Sequence, residues 1–298
     1  MIKTPYYLID KSKLKQNMER IAYVREHSGA KALLALKCFA TWSVFDFMSE
    51  YMDGTTSSSL NEVKLGRLKF GGETHAYSVA YADDEIEEVL SNADKIIFNS
   101  ISQLTRFSDA SKNTVRGLRL NPGVSSSDFL IADPSRPFSR LGEWDAEKIA
   151  AVLPLISGFM IHNNCENGDF SLFDDMLGQI EERFGHLLQQ VEWVSLGGGI
   201  HFTGDDYPVD DFCARLKAFS EKYGVQVYLE PGEAAITLST SLDVSVLDTP
   251  YNGKQLAVVD SSIEAPMLDL LIYCQDAKME TVDGTLQDMV VGKSRLGG

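Results

Sequence analysis

Ala32-Leu33-Leu34-Ala35-Leu36-Lys37-Cys38-Phe39-Ala40 is the stretch that decides the fold. Its apolar opening is short and lacks the polar alternation of a half-exposed strand, so Ala32–Lys37 reads as a strand buried on both faces. Lys37 closes it. Such a lysine can snorkel to the strand end or pair with a carboxylate. It can also be held uncharged, because burial disfavours the ammonium form, and an uncharged amine attacks aldehydes. On this stretch alone the two readings stand level.

The same signature recurs along the chain. Short β-type runs follow at Met52–Thr56, Thr74–Val79, Lys95–Phe98, Val115–Leu120, Phe159–Ile161, Val191–Leu196 and Val225–Leu229. Between them lie segments of helical spacing, among them Ser43–Tyr51, Asn61–Phe70 stopped by Gly71-Gly72, Phe170–Phe184 and Val209–Tyr223. Eight evenly spaced strand–helix repeats predict an α/β fold, a closed parallel (β/α)8 TIM barrel. The alternative is an open doubly wound sheet. The barrel is expected over residues 11–234, with a strand in 1–10 that joins a second domain. From 235 to 298 the helical rhythm stops. Strand-like Thr237–Leu247 and Gln255–Val259, with a hairpin-type Asn252-Gly253 between, predict a partial all-β domain.

The chain has 298 residues, 44% of them hydrophobic, and a net charge of -16. The acidic surface disfavours nucleic acid and anionic membranes and suits cationic ligands such as amines. No apolar run reaches membrane-spanning length. The four cysteines, Cys38, Cys165, Cys213 and Cys274, are far apart and follow no secretory leader, which predicts free thiols in a cytoplasmic protein.

The polar residues sit where a barrel would carry its chemistry, just past strand ends. Gly197-Gly198-Gly199 ends the seventh barrel strand. Such glycines let backbone N–H groups approach a phosphate, although an ordinary tight loop reads the same. Glu230, before Pro231-Gly232, ends the eighth; a carboxylate there holds a protonated ring nitrogen or pairs with a nearby cation. His162 ends the sixth and can stack on a flat ligand or move a proton. A zinc reading of His162 with Cys165 lacks further ligands at sensible spacing, so no metal is expected. Arg119, inside the fifth strand, needs an anionic ligand or an acidic partner. Arg140, in Ser139-Arg140-Leu141-Gly142, can clamp a carboxylate or serve a structural pair. His75 reads as a core residue.

With those positions placed, the chain resembles the fold-type III pyridoxal-phosphate decarboxylases, which include the ornithine and diaminopimelate decarboxylases. It is most similar to the carboxynorspermidine (carboxyspermidine) decarboxylase branch. The strings that carry the likeness are Ala35-Leu36-Lys37-Cys38-Phe39, Asp53-Gly54-Thr55-Thr56-Ser57-Ser58, Gly71 to Val79, Phe138-Ser139-Arg140-Leu141-Gly142, Asn164-Cys165-Glu166-Asn167 and Glu230-Pro231-Gly232-Glu233-Ala234.

The resemblance implies that Lys37 carries pyridoxal 5'-phosphate covalently and that His162 stacks on its ring. Gly198, Gly199 and Gly232 hold its phosphate, Glu230 its ring nitrogen, and Arg119 is grouped with them. It implies a carboxylated polyamine as substrate, contacted by Arg140, Glu233, Glu264 and Asp269, and a homodimer in the complete form. Glu233 stands where relatives acting on simpler diamino acids usually have arginine.

Two departures shape the expectation. The family's Cys-Leu-Ala-Gly-Asp motif corresponds to Gly292-Lys293-Ser294-Arg295-Leu296-Gly297-Gly298, with Arg295 in the place of the cysteine. Pro266 stands where the family tends to have histidine. The alternative to an active decarboxylase is therefore a truncated or degenerate relative that binds the cofactor or a polyamine without turnover.

Overall fold

The computed structural model describes residues 2–127, 130, 132–264 and 266–272. A first strand, β1 (Tyr6–Ile9), and a helix, Lys11–Ser28, precede eight parallel strands. These are β2 (Lys31–Ala35), β3 (Gly54–Ser57), β4 (Glu73–Ser78), β5 (Lys95–Phe98), β6 (Val115–Arg119), β7 (Gly158–Met160), β8 (Trp193–Ser195) and β9 (Gln226–Leu229). They close into a barrel in chain order. The seam is β2 against β9, with Lys31 opposite Tyr228 and Ala32 opposite Leu229. Helices follow the strands, and several start on a side-chain cap: Ser59, Ser100, Asp145 and Asp169 each accept a backbone N–H of the first turn. Strand ends differ by a few residues from the sequence reading. The difference that matters is at β2, which ends at Ala35 and leaves Lys37 in the turn beyond.

Strand pleating sends alternate residues to opposite faces. One parity points to the barrel axis. Leu33 of β2, Ile97 of β5, Met160 of β7, Trp193 of β8 and Tyr228 of β9 form one buried cluster, which strands so placed can make only through the interior. Trp193 fits because its inner neighbours are glycines: a Cβ on Gly158 would lie 2.1 Å from the indole, and one on Gly117 2.5 Å. The other parity, including Ala32, Leu34, Ile96, Phe98, Leu118, Phe159 and Val194, is buried on the opposite face.

Two residues before Leu33, the buried His75 and Ile97, at the N-terminal mouth, Lys31, Glu73 and Lys95 form a charged cluster. The Glu73 carboxylate accepts hydrogen bonds from Lys31 and Lys95 and from the Tyr228 hydroxyl at 3.0 Å, and it meets His75 Nε2 at 3.1 Å. The bond to His75 comes first, then those to the lysines, and together they outweigh partial burial and hold Glu73 far below the usual carboxylate range. His75 is fully buried, and burial pushes its pKa down.

The described parts of Met1–Lys11 and Leu238–Gly298 form a second compact unit, separate from Ser12–Thr237. Within it β1 pairs antiparallel with β10 (Thr240–Asp243), and β11 (Val246–Asp248) pairs antiparallel with β12 (Val258–Val259). A bridge between Tyr251 and Gln255 closes the turn at Asn252-Gly253, where Gly253 takes φ 71. The expected all-β character of this segment needs correction, because Leu268–Ile272 forms a short helix. Its leucines are good helix formers, and Pro266 lies just ahead of its first turn. Residues 273–298 lie outside the description, and with them the Arg295 stretch and Cys274. Among the described residues Cys38, Cys165 and Cys213 form no disulfide. Among the described residues no helix is long and apolar enough to cross a membrane, and no cluster of acidic, histidine or cysteine side chains could hold a metal ion.

Glu73→Gln should leave the Lys31 and Lys95 ammoniums without their anion and lower stability by about 2 kcal/mol at pH 7, between the values for exposed and buried pairs. Because the folded-state pKa of Glu73 is depressed, the wild-type advantage is full above roughly pH 5. It declines as pH falls below about 4, where the unfolded carboxylate takes up its proton. Urea unfolding of both proteins at pH 7 and pH 3 checks this; an equal gap at both pH values would refute it.

Candidate active site

The C-terminal mouth of the barrel gathers polar groups around a small cavity lined by Lys37, Thr56, Tyr77, His162 and Glu230, with Ala35, Ser58 and Met160. A larger, more open pocket beside it is lined by Ser58, Ser59, Asn61, Ser78, Tyr81 and Glu85 and holds none of the expected site residues. Lys37 is exposed, so the sequence-based picture of an amine buried in a strand is corrected. What marks this lysine is its direction. From the turn after β2 its Nζ reaches across the mouth to His162 Nε2, 3.3 Å away.

His162, just beyond β7, is oriented from two sides. Its Nδ1 accepts the Gly198 N–H at 3.2 Å, and its carbonyl accepts an Arg119 N–H at 2.9 Å. A backbone donor on Nδ1 places the proton of the neutral ring on Nε2, facing Lys37. The residue as a whole is half-buried. Even so, burial, followed by the charges of Lys37 and Arg119, holds its pKa well below the usual histidine value. The ring is neutral at pH 7.

Glu230, just beyond β9, is 7% exposed. The Ser195 hydroxyl donates to it at 2.6 Å, and the Thr56 hydroxyl bonds it as well. Burial pushes its pKa up, against the weaker pull of these hydroxyls and of Lys37 and Arg119. A buried carboxylate held by neutral hydroxyls suits a basic ring nitrogen.

Beside it the backbone of the Gly197–Gly199 turn is bare. Gly197 and Gly199 take φ 71 and 81, and a Cβ on Gly198 would lie 2.2 Å from the Glu230 carbonyl oxygen. Gly232 packs against Cys38, where a Cβ would come within 2.7 Å. Side chains are thus excluded from both loops, as an anion cradle of backbone N–H groups requires.

Arg119, at the end of β6, is 3% exposed and meets neutral oxygens. Besides the His162 carbonyl it donates to the Tyr77 hydroxyl at 2.5 Å, with its guanidinium 5.1 Å from the centre of that ring. Tyr77 in turn donates to Asn99 Oδ1 at 3.0 Å. Neither Tyr77 nor Asn99 nor Ser195 was singled out from sequence. A signal for them exists: each lies at the inward parity of its strand, in step with Glu73 and His75, Lys95 and Ile97, or Trp193.

The substrate candidates are dispersed. Arg140 is exposed, and its charge acts on the Tyr77 phenol. Glu233, next to Gly232, is exposed and lies 3.4 Å from His201 Nε2. That contact lowers the Glu233 pKa and raises that of His201. Glu264 is exposed in the second unit, and Asp269 falls within its short helix.

No family model matches the chain. The crystal structure of Helicobacter pylori diaminopimelate decarboxylase complexed with L-lysine superposes with a TM-score of 0.80 at 19% identity, over 97% of this chain and 77% of that one. That likeness is one of fold: the closed eight-stranded barrel is that of the fold-type III decarboxylases. A Campylobacter jejuni carboxynorspermidine decarboxylase complexed with norspermidine reaches a TM-score of 0.85 at 38% identity, over 96% of this chain and 77% of that one. The carboxynorspermidine/carboxyspermidine decarboxylase of Herminiimonas arsenicoxydans is 61% identical over 298 residues, which is 100% of this chain and 82% of that protein. The chain belongs to the carboxynorspermidine/carboxyspermidine decarboxylase family.

The raised pKa of Glu230 has a consequence for the ligand-free protein. The folded state holds this proton more tightly than the unfolded one, so its contribution to stability falls as pH rises past about 4.3. Glu230→Gln carries no such loss. Its melting temperature relative to wild type should therefore rise between pH 4 and pH 8, as differential scanning calorimetry would show. A difference independent of pH would contradict the buried-acid assignment.

Proposed function

We propose that this protein removes carbon dioxide from carboxynorspermidine and carboxyspermidine, yielding norspermidine and spermidine for polyamine biosynthesis, with pyridoxal 5'-phosphate bound at the barrel mouth. The observation that carries the reading is the convergence of Lys37, His162 and Glu230 on one cavity beside the bare glycine turn. The residues fit the cofactor's chemistry. A primary amine faces the cavity, a buried carboxylate awaits a cationic ring nitrogen, and the glycine loops leave backbone open to a phosphate where a Cβ would collide with the Glu230 carbonyl at Gly198 or with Cys38 at Gly232.

Bound pyridoxal phosphate supplies the electron sink for the pair released when carbon dioxide leaves. The protein's part is to bind and orient. Lys37 would hold the cofactor covalently; Gly199 and Gly232 would offer backbone N–H groups to its phosphate, and Gly198, whose N–H is given to His162, would keep that turn clear of a side chain. Glu230, fixed by Ser195 and Thr56, keeps a proton on the ring nitrogen. Neutral His162, oriented by Gly198 and Arg119, offers a flat face. Arg140 takes the substrate carboxylate, and Glu233 a distal ammonium. Homodimeric assembly and a cytoplasmic location belong to this reading, as the family resemblance implies.

The test is incubation of the cofactor-loaded protein with each carboxylated polyamine and quantification of the decarboxylated amine and carbon dioxide. Release of both supports the reading; no product from a fully loaded sample rejects it. Lys37→Ala should lose turnover by roughly three orders of magnitude or more. After borohydride treatment and peptide mapping, the wild type should carry a pyridoxyl group on Lys37; an adduct on another lysine would move the site.

A further inference from the structure

Asn99 stands one residue beyond β5, is 6% exposed, and has no part in the reaction as derived above. Its side-chain amide makes three hydrogen bonds. Oδ1 accepts the Tyr77 hydroxyl at 3.0 Å and the Gly142 N–H at 2.9 Å; Nδ2 donates to the Arg140 carbonyl at 2.8 Å. The orientation of the amide is unambiguous, because Gly142 N–H can only donate and the Arg140 carbonyl can only accept. The phenolic O–H, spent on Asn99, leaves the Tyr77 oxygen to accept from Arg119, as it does.

Asn99 therefore grips the backbone on both sides of Leu141 and joins it to the floor of the cavity. Gly142 takes φ 79, where a Cβ would come within 2.9 Å of the backbone at Leu120, so this segment lies flat against the end of β6. On its far side Asn121 donates to the Leu141 carbonyl at 2.9 Å, but Asn99 is the tie that also touches a cavity-lining side chain. What the tie fixes is the Cα of Arg140, and with it the origin of a long arm whose charge acts on the Tyr77 phenol.

We propose that Asn99 is a positioning residue for carboxylate recognition: it locks the Arg140 backbone to the Tyr77–Arg119 pair so that the Arg140 guanidinium meets the carboxylate that is removed. This inference rests on the decarboxylase reading and deepens it. Asparagine is required. Aspartate at 99 would set a carboxylate against the Arg140 carbonyl, and glutamine is a methylene too long for bonds to both sides of Leu141.

The test compares Asn99→Asp, Arg140→Ala and the double variant in the cofactor-loaded protein. N99D should raise KM for the carboxylated substrate about tenfold, the worth of one hydrogen bond and one new repulsion, with kcat within about threefold. Inhibition by norspermidine, which lacks the carboxylate, should change less than about twofold, which a general structural defect would not spare. The double variant should be no worse in KM than R140A alone. A loss confined to kcat, an equal loss of norspermidine binding, or additive effects would overturn the proposal.

If N99D does not fold, Asn99→Ala removes all three bonds, the Arg140 tie among them, and carries the same comparison. Hydrogen exchange at the Gly142 amide needs no turnover. It should quicken in Asn99→Ala, which removes the Oδ1 acceptor, and unchanged exchange there would overturn the tie even if the decarboxylase reading itself failed.

Discussion

The seam between β2 and β9 is the constraint on which the site depends. Their parallel ladder continues past the strand ends, where Ala35 N–H donates to the Pro231 carbonyl at 3.1 Å. On the other side of β2 the Leu36 N–H bonds Thr56. These bonds set the turn that aims Lys37 inward and bring it opposite Glu230, a residue remote in sequence. An open sheet made from the same strands would leave β2 and β9 at its edges and the amine without a facing acid.

The two mouths of the barrel follow opposite electrostatic logic. At the N-terminal mouth one carboxylate, Glu73, is compensated by two lysines, a phenol and a histidine. The arrangement ties β4 to β2, β5 and β9 at that mouth. At the C-terminal mouth Glu230 and Arg119 are both buried, and their direct partners are neutral oxygens. Buried charges without direct counter-ions destabilise a fold, and the deficit is offset when a ligand of matching charge arrives. The family's cofactor has both a cationic ring nitrogen and an anionic phosphate.

Much of this was legible along the chain. Lys37, His162, the glycine turn and Glu230 stand out because a polar residue interrupts or closes an apolar run at a predicted strand end. The reason first offered for Lys37 does not hold, since it is exposed. Its significance lies in the 3.3 Å approach to His162, which no local pattern encodes. Tyr77 and Asn99 escaped notice for the opposite reason. A tyrosine or an asparagine at a strand end is unremarkable alone, and only inward parity counted from Glu73 and Lys95 picks them out. Arg119 reads from sequence as needing an acidic partner or an anionic ligand, and its bonds run to the Tyr77 hydroxyl and the His162 carbonyl rather than to a carboxylate.

By itself the sequence determined the eight-fold strand–helix rhythm and the polar residues that stand near the strand ends. These are local properties, set by side-chain polarity over a few residues and by where glycine and proline interrupt it. Tertiary structure decided which strand ends meet. It made Glu73 the hub of one mouth and Asn99 the link between Tyr77 and the Arg140 backbone. It also bound Glu233 to His201. Such pairings depend on closure of the ring and on loop paths, which are fixed by contacts between segments far apart in the chain and so leave no mark in any single stretch of it.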